Sequence, residues 1–567
     1  VSEAEVTAVT ATKSLMTWNA AGIARQTGAV LIVGDPNATR CALDGPAGSG
    51  KTRALRGLMF AAADERTWAQ VAFMSFARNV VRSTRQTVFD AEGDTERVRT
   101  IHSWCANVLH LGPPFSSEGR TGLSGPYLDL DFRAHREAFV REVLDPFESR
   151  RARRRDEVAE HDYARLDEFA RMRKISIDEA AALSRRTAKA LDPVRARDYR
   201  RLYAGFRERH ELFDYTDLLE RVAAEKSVLG AGYVFVDEGQ DFGPLEWDVL
   251  AALTAAAHVV VVAGDAAQAI YFFKGGSARD FLRYGDARLQ LTKSYRVPAK
   301  ILAPALHVAS LDPQLADRRD VRAVNSGGVV AALAAMSDLS WSAGSYLVLA
   351  RNWRGLMRPE QEIEKLLVPF FGACGGGLPE EGPMRDALLA MRSLAKDEFV
   401  SAYDARGLLF ATKKGYWKPG ARKAVIENRD DVPLEFVESL AAGATLGDAI
   451  RRGEPWRVLD VGERRREYMA GVAFYNGVDA LTDEPKVRLS TVHGAKGLEA
   501  DVVVLVQDWS PASHGELVRS PAREHLVAHV AMTRASRALL FLPPRTKRTY
   551  PFPRPTAWFP KGGDLAL

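Results

Sequence analysis

Gly45-Pro46-Ala47-Gly48-Ser49-Gly50-Lys51-Thr52 satisfies G-x-x-x-x-G-K-[ST] at every specified position. Its flanks suit the pattern: 39–43 reads as a short strand before it. Residues 53–63, free of proline and rich in Ala, Leu and Met, read as the helix after it. Glycines let such a loop wrap a phosphate so that backbone N–H groups and the helix N-terminus face the anion. Gly45, Ala47, Gly48, Ser49 and Gly50 form this cradle. Lys51 supplies a mobile positive charge to the β- and γ-phosphates, and Thr52 a hydroxyl to Mg²⁺. A glycine-rich turn alone would not need both flanking elements. The expected ligand is a nucleoside triphosphate, ATP, with Mg²⁺.

Working outward, 69–76 is a buried strand running into Ala77-Arg78-Asn79, and 98–105 is a strand leading into a helix. In open α/β sheets the residues just past the carboxyl ends of strands face the ligand crevice. Phe76, Arg78, Thr100 and His102 are therefore candidates to grip a polyanion; each taken singly also fits a core or surface role. Tyr233-Val234-Phe235-Val236-Asp237-Glu238 is an apolar strand ending in two acids. Asp237 is the expected metal ligand, and Glu238 the group that polarises the attacking water. The strand at 258–263 leads to Gln268, placed to sense the γ-phosphate, and then to Tyr271, Phe273 and Lys274. Two aromatic faces beside a positive charge suit stacking on unpaired bases; core packing is the alternative for either ring. Near the N-terminus, Gln26 sits in an expected helix over 20–29, where it either reads an adenine edge or is a plain surface glutamine.

Composition narrows the classes. The chain has 567 residues, too many for one core, with 46% hydrophobic and 27% charged residues, as in ordinary globular proteins. Its 78 Lys+Arg against 73 Asp+Glu leave a net charge of +5. Any polyanion surface must therefore come from local clustering. Cys41, Cys105 and Cys374 are too few and too scattered for a four-thiolate zinc or iron–sulfur site. No apolar run approaches the length of a membrane span and no signal peptide is visible, so the default expectation is a cytoplasmic protein without membrane partners.

In chain order the motifs GPAGSGKT (45–52), SFARN (75–79), TIHSWC (100–105), LFDYTDLL (212–219), VDEGQD (236–241), GDAAQAIYFFKGG (264–276), LTKSYR (291–296), STVHGAKGLEADVVVLV (490–506) and VAMTRASRAL (530–539) resemble those of the UvrD/Rep/PcrA group of superfamily I helicases. The resemblance spans nearly the whole chain. It implies an α/β fold of two RecA-like P-loop motor domains, each with an inserted, mainly helical subdomain, and ATP between the motors. It also implies a translocase on single-stranded DNA and on junctions with duplex, moving 3′→5′ and unwinding. The alternative function is a DNA-dependent ATPase that switches binding or displaces proteins without unwinding. By motif position Tyr295 stacks on the adenine, and Arg296 reaches the γ-phosphate from the second motor. Glu499 lies at the ribose side and Arg534 is the second γ-phosphate arginine. Tyr271, Phe273 and His102 face DNA, while His493 and Lys496 mark a loop coupling ATP to DNA.

The expected divisions are 1–110, first motor with the P-loop; 111–210, a helical insertion; 211–285, first motor continued; 286–371, second motor; 372–485, its insertion; and 486–567, second motor continued with a tail. The first insertion carries an arginine run at 150–155, either a phosphate contact or a solvated helix face. The second opens on a glycine-rich linker at 372–377. It also contains Lys413-Lys414-Gly415-Tyr416-Trp417-Lys418, either a duplex contact or a surface turn. Three departures from the family pattern bear on function. Arg78-Asn79 stands where Asn-Lys is usual, GDAAQ lacks the usual acids before its Gln, and Gly239 replaces a bulky residue. The proline-rich 550–555 is expected to be extended, docked on the motor or on a partner.

Overall fold

The computed structural model describes residues 17–111, 153–184, 191–315, 320–341, 344–553, 555 and 557–559. Residues 150–152, the side chains of 153–161 and the side chains of Arg78 and Asn79 lie outside the described residues, and with them the expected phosphate contacts of the arginine run and of Arg78. The described chain forms two compact units, one comprising Val1–Arg296, Leu306–Asn325 and Ser520–His529, the other Val297–Ala305, Ser326–Arg519 and Val530–Leu567.

The first unit is built on a seven-stranded sheet. Its strands are β1 (Leu31–Gly34), β2 (Arg40–Asp44), β3 (Val71–Ser75), β4 (Val98–Thr100), β5 (Tyr233–Asp237), β6 (Val259–Gly264) and β7 (Ala287–Gln290), in the order β1-β7-β2-β6-β5-β3-β4. All neighbours are parallel except β1 and β7. Every residue of β3, β5 and β6 is buried, which is why they read as unbroken apolar runs: helices cover both faces of a parallel sheet. One strand, β6, lies between the P-loop strand β2 and the acid-bearing strand β5. The short pair β8 (Lys293–Ser294) and β9 (Arg322–Ala323) follows.

The expected division at 285/286 falls inside this sheet. Strand β7 is bonded to β1 and β2, so the first motor continues to Arg296. Strand β7 (Ala-Arg-Leu-Gln) alternates and carries no apolar run, whereas β1 was missed although 29–33 is apolar throughout.

The helical insertion of this unit is tied down by its own arginines. Arg171, on the helix Arg153–Arg173, donates to Asp214 (2.7 Å), Asp217 (2.5 Å) and Glu220 (2.7 Å). Arg207, on the helix Pro193–Arg209, donates to Asp214 (2.6 Å) and Asp217 (2.5 Å). These described arginines hold helices together. Breaking a buried pair of this kind from one side leaves an uncompensated charge.

The second unit contains an all-parallel sheet of β10 (Val329–Ala332), β11 (Tyr346–Ala350), β12 (Phe370–Phe371), β13 (Val487–Thr491), β14 (Ala500–Val506) and β15 (Ala535–Leu542), in the order β10-β15-β14-β11-β13-β12. The two sheets are those of RecA-like motors. The second insertion is helical, with helices from Pro383–Leu394 to Glu463–Asn476. It shares one hydrophobic core with the sheet, running from Val348, Phe370 and Val487 to Leu388, Met391, Leu408 and Met469.

Residues 372–377 are not a free linker. The buried Glu360 accepts from the N–H groups of Ala373 (3.0 Å), Cys374 (2.8 Å) and Gly376 (2.8 Å), and Glu364 from Gly377 (3.2 Å). The lysine-aromatic stretch at 413–418 is a folded turn. The Trp417 indole donates to Thr412 Oγ1 (2.7 Å), Tyr416 donates to the Arg457 carbonyl (3.3 Å), and both rings pack on the core. The tail docks on its own unit. Tyr550 is buried against Trp509 and Phe552, and Ala332 at the β10 edge exchanges bonds with Ala557 (2.9 Å) and Phe559 (2.7 Å). Covering an exposed strand edge in this way removes a site for unwanted pairing. Among the described residues no helix is long and apolar enough to cross a membrane.

Candidate nucleotide and nucleic-acid sites

The loop after β2 turns through two left-handed glycines, Gly48 (φ +71°) and Gly50 (φ +84°). A Cβ on Gly48 would lie 2.5 Å from the Cβ of Arg296, so this position excludes side chains on space as well as on backbone conformation. The helix Lys51–Arg66 then starts with no side-chain cap, which leaves its first N–H groups for an anion. Lys51 Nζ donates to the carbonyls of Gly45 (2.9 Å) and Pro46 (3.2 Å).

Beside the loop, Thr52 Oγ1 donates to Asp237 Oδ2 at 2.6 Å. Burial, with the Glu238 carboxylate next to it, pushes the Asp237 carboxyl up to about 6, against the pull of the Thr52 hydroxyl and Lys51. The buried Ser49 hydroxyl finds no hydrogen-bond partner among the described residues. A hydroxyl and a carboxylate in contact, with a second acid next in the chain, suit a hard, oxygen-seeking cation such as Mg²⁺.

Glu238 has φ +62°, a left-handed setting that costs a non-glycine residue about 1–3 kcal/mol. Its carboxylate accepts from Gln240 Nε2 (2.5 Å), and Gln240 Oε1 in turn accepts from the Asp265 N–H (3.0 Å). Gln268 is buried and donates to Asp265 Oδ2 at 2.8 Å. Gly239, which stands where the family has a bulky residue, sits in a tightly packed place. A Cβ there would lie 2.3 Å from Val262 Cγ1 in the buried strand β6. Gly239→Ala is expected to cost about 1–3 kcal/mol by overpacking, read as a lower denaturant midpoint.

The segment 291–296 packs on the loop within the same unit. Ser294 Oγ donates to the Ala47 carbonyl (2.7 Å), and the Tyr295 N–H to that of Gly48 (2.9 Å). The Tyr295 ring is 64% exposed, open for stacking. The expectation that Arg296 belongs to the second motor is corrected: it closes the first unit, against Gly48.

At the carboxyl ends of β3 and β6 a second cluster forms. Phe76 lies 6.5 Å from Tyr271, and Tyr271 lies 5.7 Å from Phe273. Lys274 Nζ sits 5.3 Å from the Phe76 ring centre and 5.9 Å from that of Tyr271. Phe273 is 55% exposed and so is not core. His102 meets Tyr215 edge to face at 5.7 Å. Thr100 has a structural task, since its hydroxyl caps the helix Ile101–Val108 by accepting from the Ser103 N–H (3.2 Å). Gln26 is exposed in the last turn of the helix Ala20–Thr27.

In the second unit, His493, Lys496 and Glu499 lie on the connection from β13 to β14, with Glu499 exposed. Arg534 is buried and donates to the carbonyls of Val530 (3.1 Å) and Leu498 (3.3 Å), while its own carbonyl accepts from the Ala500 N–H (3.1 Å). Glu499 and Arg534 are thus held on adjacent backbone. Gln240, Ser294 and Tyr215 were missed as site residues although all three lie within quoted motifs. Motif chemistry points to charged ends and glycines, whereas each of these three has a partner in another motif: Asp265 for Gln240, Ala47 for Ser294 and His102 for Tyr215.

Comparison with known proteins matches the UvrD/REP helicase N-terminal domain to residues 26–287 and the UvrD-like helicase C-terminal domain to residues 474–543. Together the matches cover more than half of the chain. No curated protein matches it. Among solved structures it is similar to the crystal structure of Arterivirus nonstructural protein 10 (helicase), at 11% identity and a TM-score of 0.30, over 89% of this chain. The chain spans 59% of the length of that protein.

Proposed function

Because this chain belongs to the UvrD/Rep/PcrA-like superfamily I helicases, we propose that it hydrolyses ATP to move along single-stranded DNA in the 3′→5′ direction and to open duplex at junctions. The observation that carries this reading is the pairing, within one unit, of a phosphate-binding loop and acid pair with an aromatic–lysine cluster at neighbouring strand ends. Loop amides 47–52 and Lys51 bind the phosphates; Tyr295 stacks on the base. Thr52 and Asp237 hold Mg²⁺, which when bound neutralises charge on the β- and γ-phosphates. Glu238 takes the proton of the attacking water, with Gln268 oriented toward the same phosphate. Arg296 and Arg534 are assigned to γ-phosphate charge by their motif positions, and Glu499 to the ribose side. Phe76, Tyr271, Phe273, Lys274 and His102 hold the strand, and His493 lies on the coupling loop.

Tyr271→Ala and Phe273→Ala are each expected to weaken single-stranded DNA binding by about 1–3 kcal/mol, with ATP turnover in the absence of DNA little changed. A fluorescence titration checks this; unchanged affinity in a folded variant would remove that ring from the strand contact. The reading as a whole is tested by strand displacement on duplexes with a 3′ or a 5′ tail. Unwinding of the 3′-tailed substrate alone is expected. Opening only the 5′-tailed one reverses the direction, and ATPase with neither leaves a translocase that does not unwind.

A further inference from the structure

Resting on the reading that Glu238 acts on the attacking water, we propose that Gln240 is a positioning residue, a buried bridge that sets Glu238 and ties it to the loop bearing the stacking rings. Gln240 is fully buried, so both ends of its carboxamide must be satisfied inside the protein. Its oxygen is committed to the Asp265 N–H (3.0 Å), and its nitrogen therefore faces Glu238 Oε2 (2.5 Å). An amide alone among the side chains of this length accepts at one end and donates at the other. From Asp265 the bonds continue, since its carboxylate accepts from the Ala267 N–H (3.0 Å) and from Gln268 Nε2 (2.8 Å). These residues begin the loop that ends in Tyr271, Phe273 and Lys274.

Two further features show a built bridge. A Cβ on Gly264 would lie 2.5 Å from Gln240 Oε1, so the glycine makes room for the carboxamide. Glu238 is also held in a left-handed backbone setting that its surroundings must enforce. With the Gln240 oxygen fixed on main chain at the end of β6, Glu238 cannot shift at the end of β5 without moving Asp265 and the loop behind it. A change at the phosphate and a change at the strand are thereby linked through one side chain.

The test uses Gln240→Met, which keeps length and removes both bonds, and Gln240→Glu, which keeps the acceptor toward Asp265 but sets a like charge against Glu238. Gly264→Ala crowds the same carboxamide from the other side. On the full chain one measures ATP turnover with and without a saturating single-stranded oligonucleotide, nucleotide affinity, and oligonucleotide affinity with and without a non-hydrolysable ATP analogue. In Gln240→Met, DNA-stimulated kcat is expected to fall at least about tenfold while nucleotide affinity stays within about threefold. The effect of the analogue on oligonucleotide affinity should disappear. Gln240→Glu should be no better, and Gly264→Ala should lose the same linkage. A folded Gln240→Met with wild-type stimulated kcat, a raised KM with kcat unchanged, or intact linkage in Gly264→Ala overturns the bridge. If Gln240→Met does not fold, Gly264→Ala decides alone. Wild-type protein without DNA-stimulated turnover overturns the functional reading and the bridge together; stimulation retained in the variants overturns the bridge alone.

Discussion

Lys51→Ala is expected to lower ATP turnover by about 10²–10³-fold or more, the scale seen when one preorganised charge or donor is removed from a transition state. Lys51 sits at the first turn of an uncapped helix, with Nζ on the lip of the loop beside the Gly45 and Pro46 carbonyls. Those two bonds are worth only about 0.5–1.5 kcal/mol each, so the fold should survive their loss. What the variant cannot replace is a mobile cation on the β- and γ-phosphates. Nucleotide affinity should fall as well, because this charge acts on bound ATP as well as on the transition state. Turnover and thermal unfolding on the same preparation check the prediction. Wild-type turnover in folded protein would remove the loop from the reaction.

Glu238→Gln is expected to separate binding from hydrolysis. Turnover should drop by about 10²–10⁴-fold, the usual contribution of a positioned general base. Nucleotide affinity with Mg²⁺ should stay close to wild type, since Thr52 and Asp237 remain at 2.6 Å and the loop is untouched. The change is nearly isosteric, and the new carboxamide oxygen can still accept from Gln240 Nε2, so the strained turn keeps its internal partner. Equilibrium nucleotide binding beside single-turnover hydrolysis tells the outcomes apart. Hydrolysis at the wild-type rate assigns the water to another group, and lost binding makes Glu238 part of the metal site.

The motifs of the first unit were legible because each is contiguous. A loop of glycines with a Lys-Thr, or an apolar strand ending in Asp-Glu, carries its backbone shape and its functional groups in a few neighbouring residues. Phe76, Tyr271, Phe273 and Lys274 were found by a weaker signal, their place after apolar strands, and they do come together. At Thr100 the same position also serves the backbone, since its hydroxyl caps a helix: a residue ending a strand is often the one starting the next helix. Trp417 and Tyr416, read from their interleaving with lysines as either a duplex contact or a surface turn, lie in a folded turn. Those rings are half-buried against the core while Lys414 and Lys418 stay exposed.

The sequence by itself determined the family, the order of its motifs and the local pattern of the glycine-rich loop and the acid pair. Those properties depend on local backbone and on groups a few residues apart. Tertiary structure alone decided where the first motor ends, because β7 becomes a strand only by bonding to β1 and β2, more than 240 residues earlier. It alone closed Ser294 and Arg296 over Gly48, pinned 372–377 on Glu360 and Glu364, and laid the tail along β10. It also turned Gln240 from one letter of a motif into a link between two strand ends. Each of these rests on a hydrogen bond or a close contact between side chains and backbone brought together only by folding, and no periodicity or spacing along the chain encodes such a pairing.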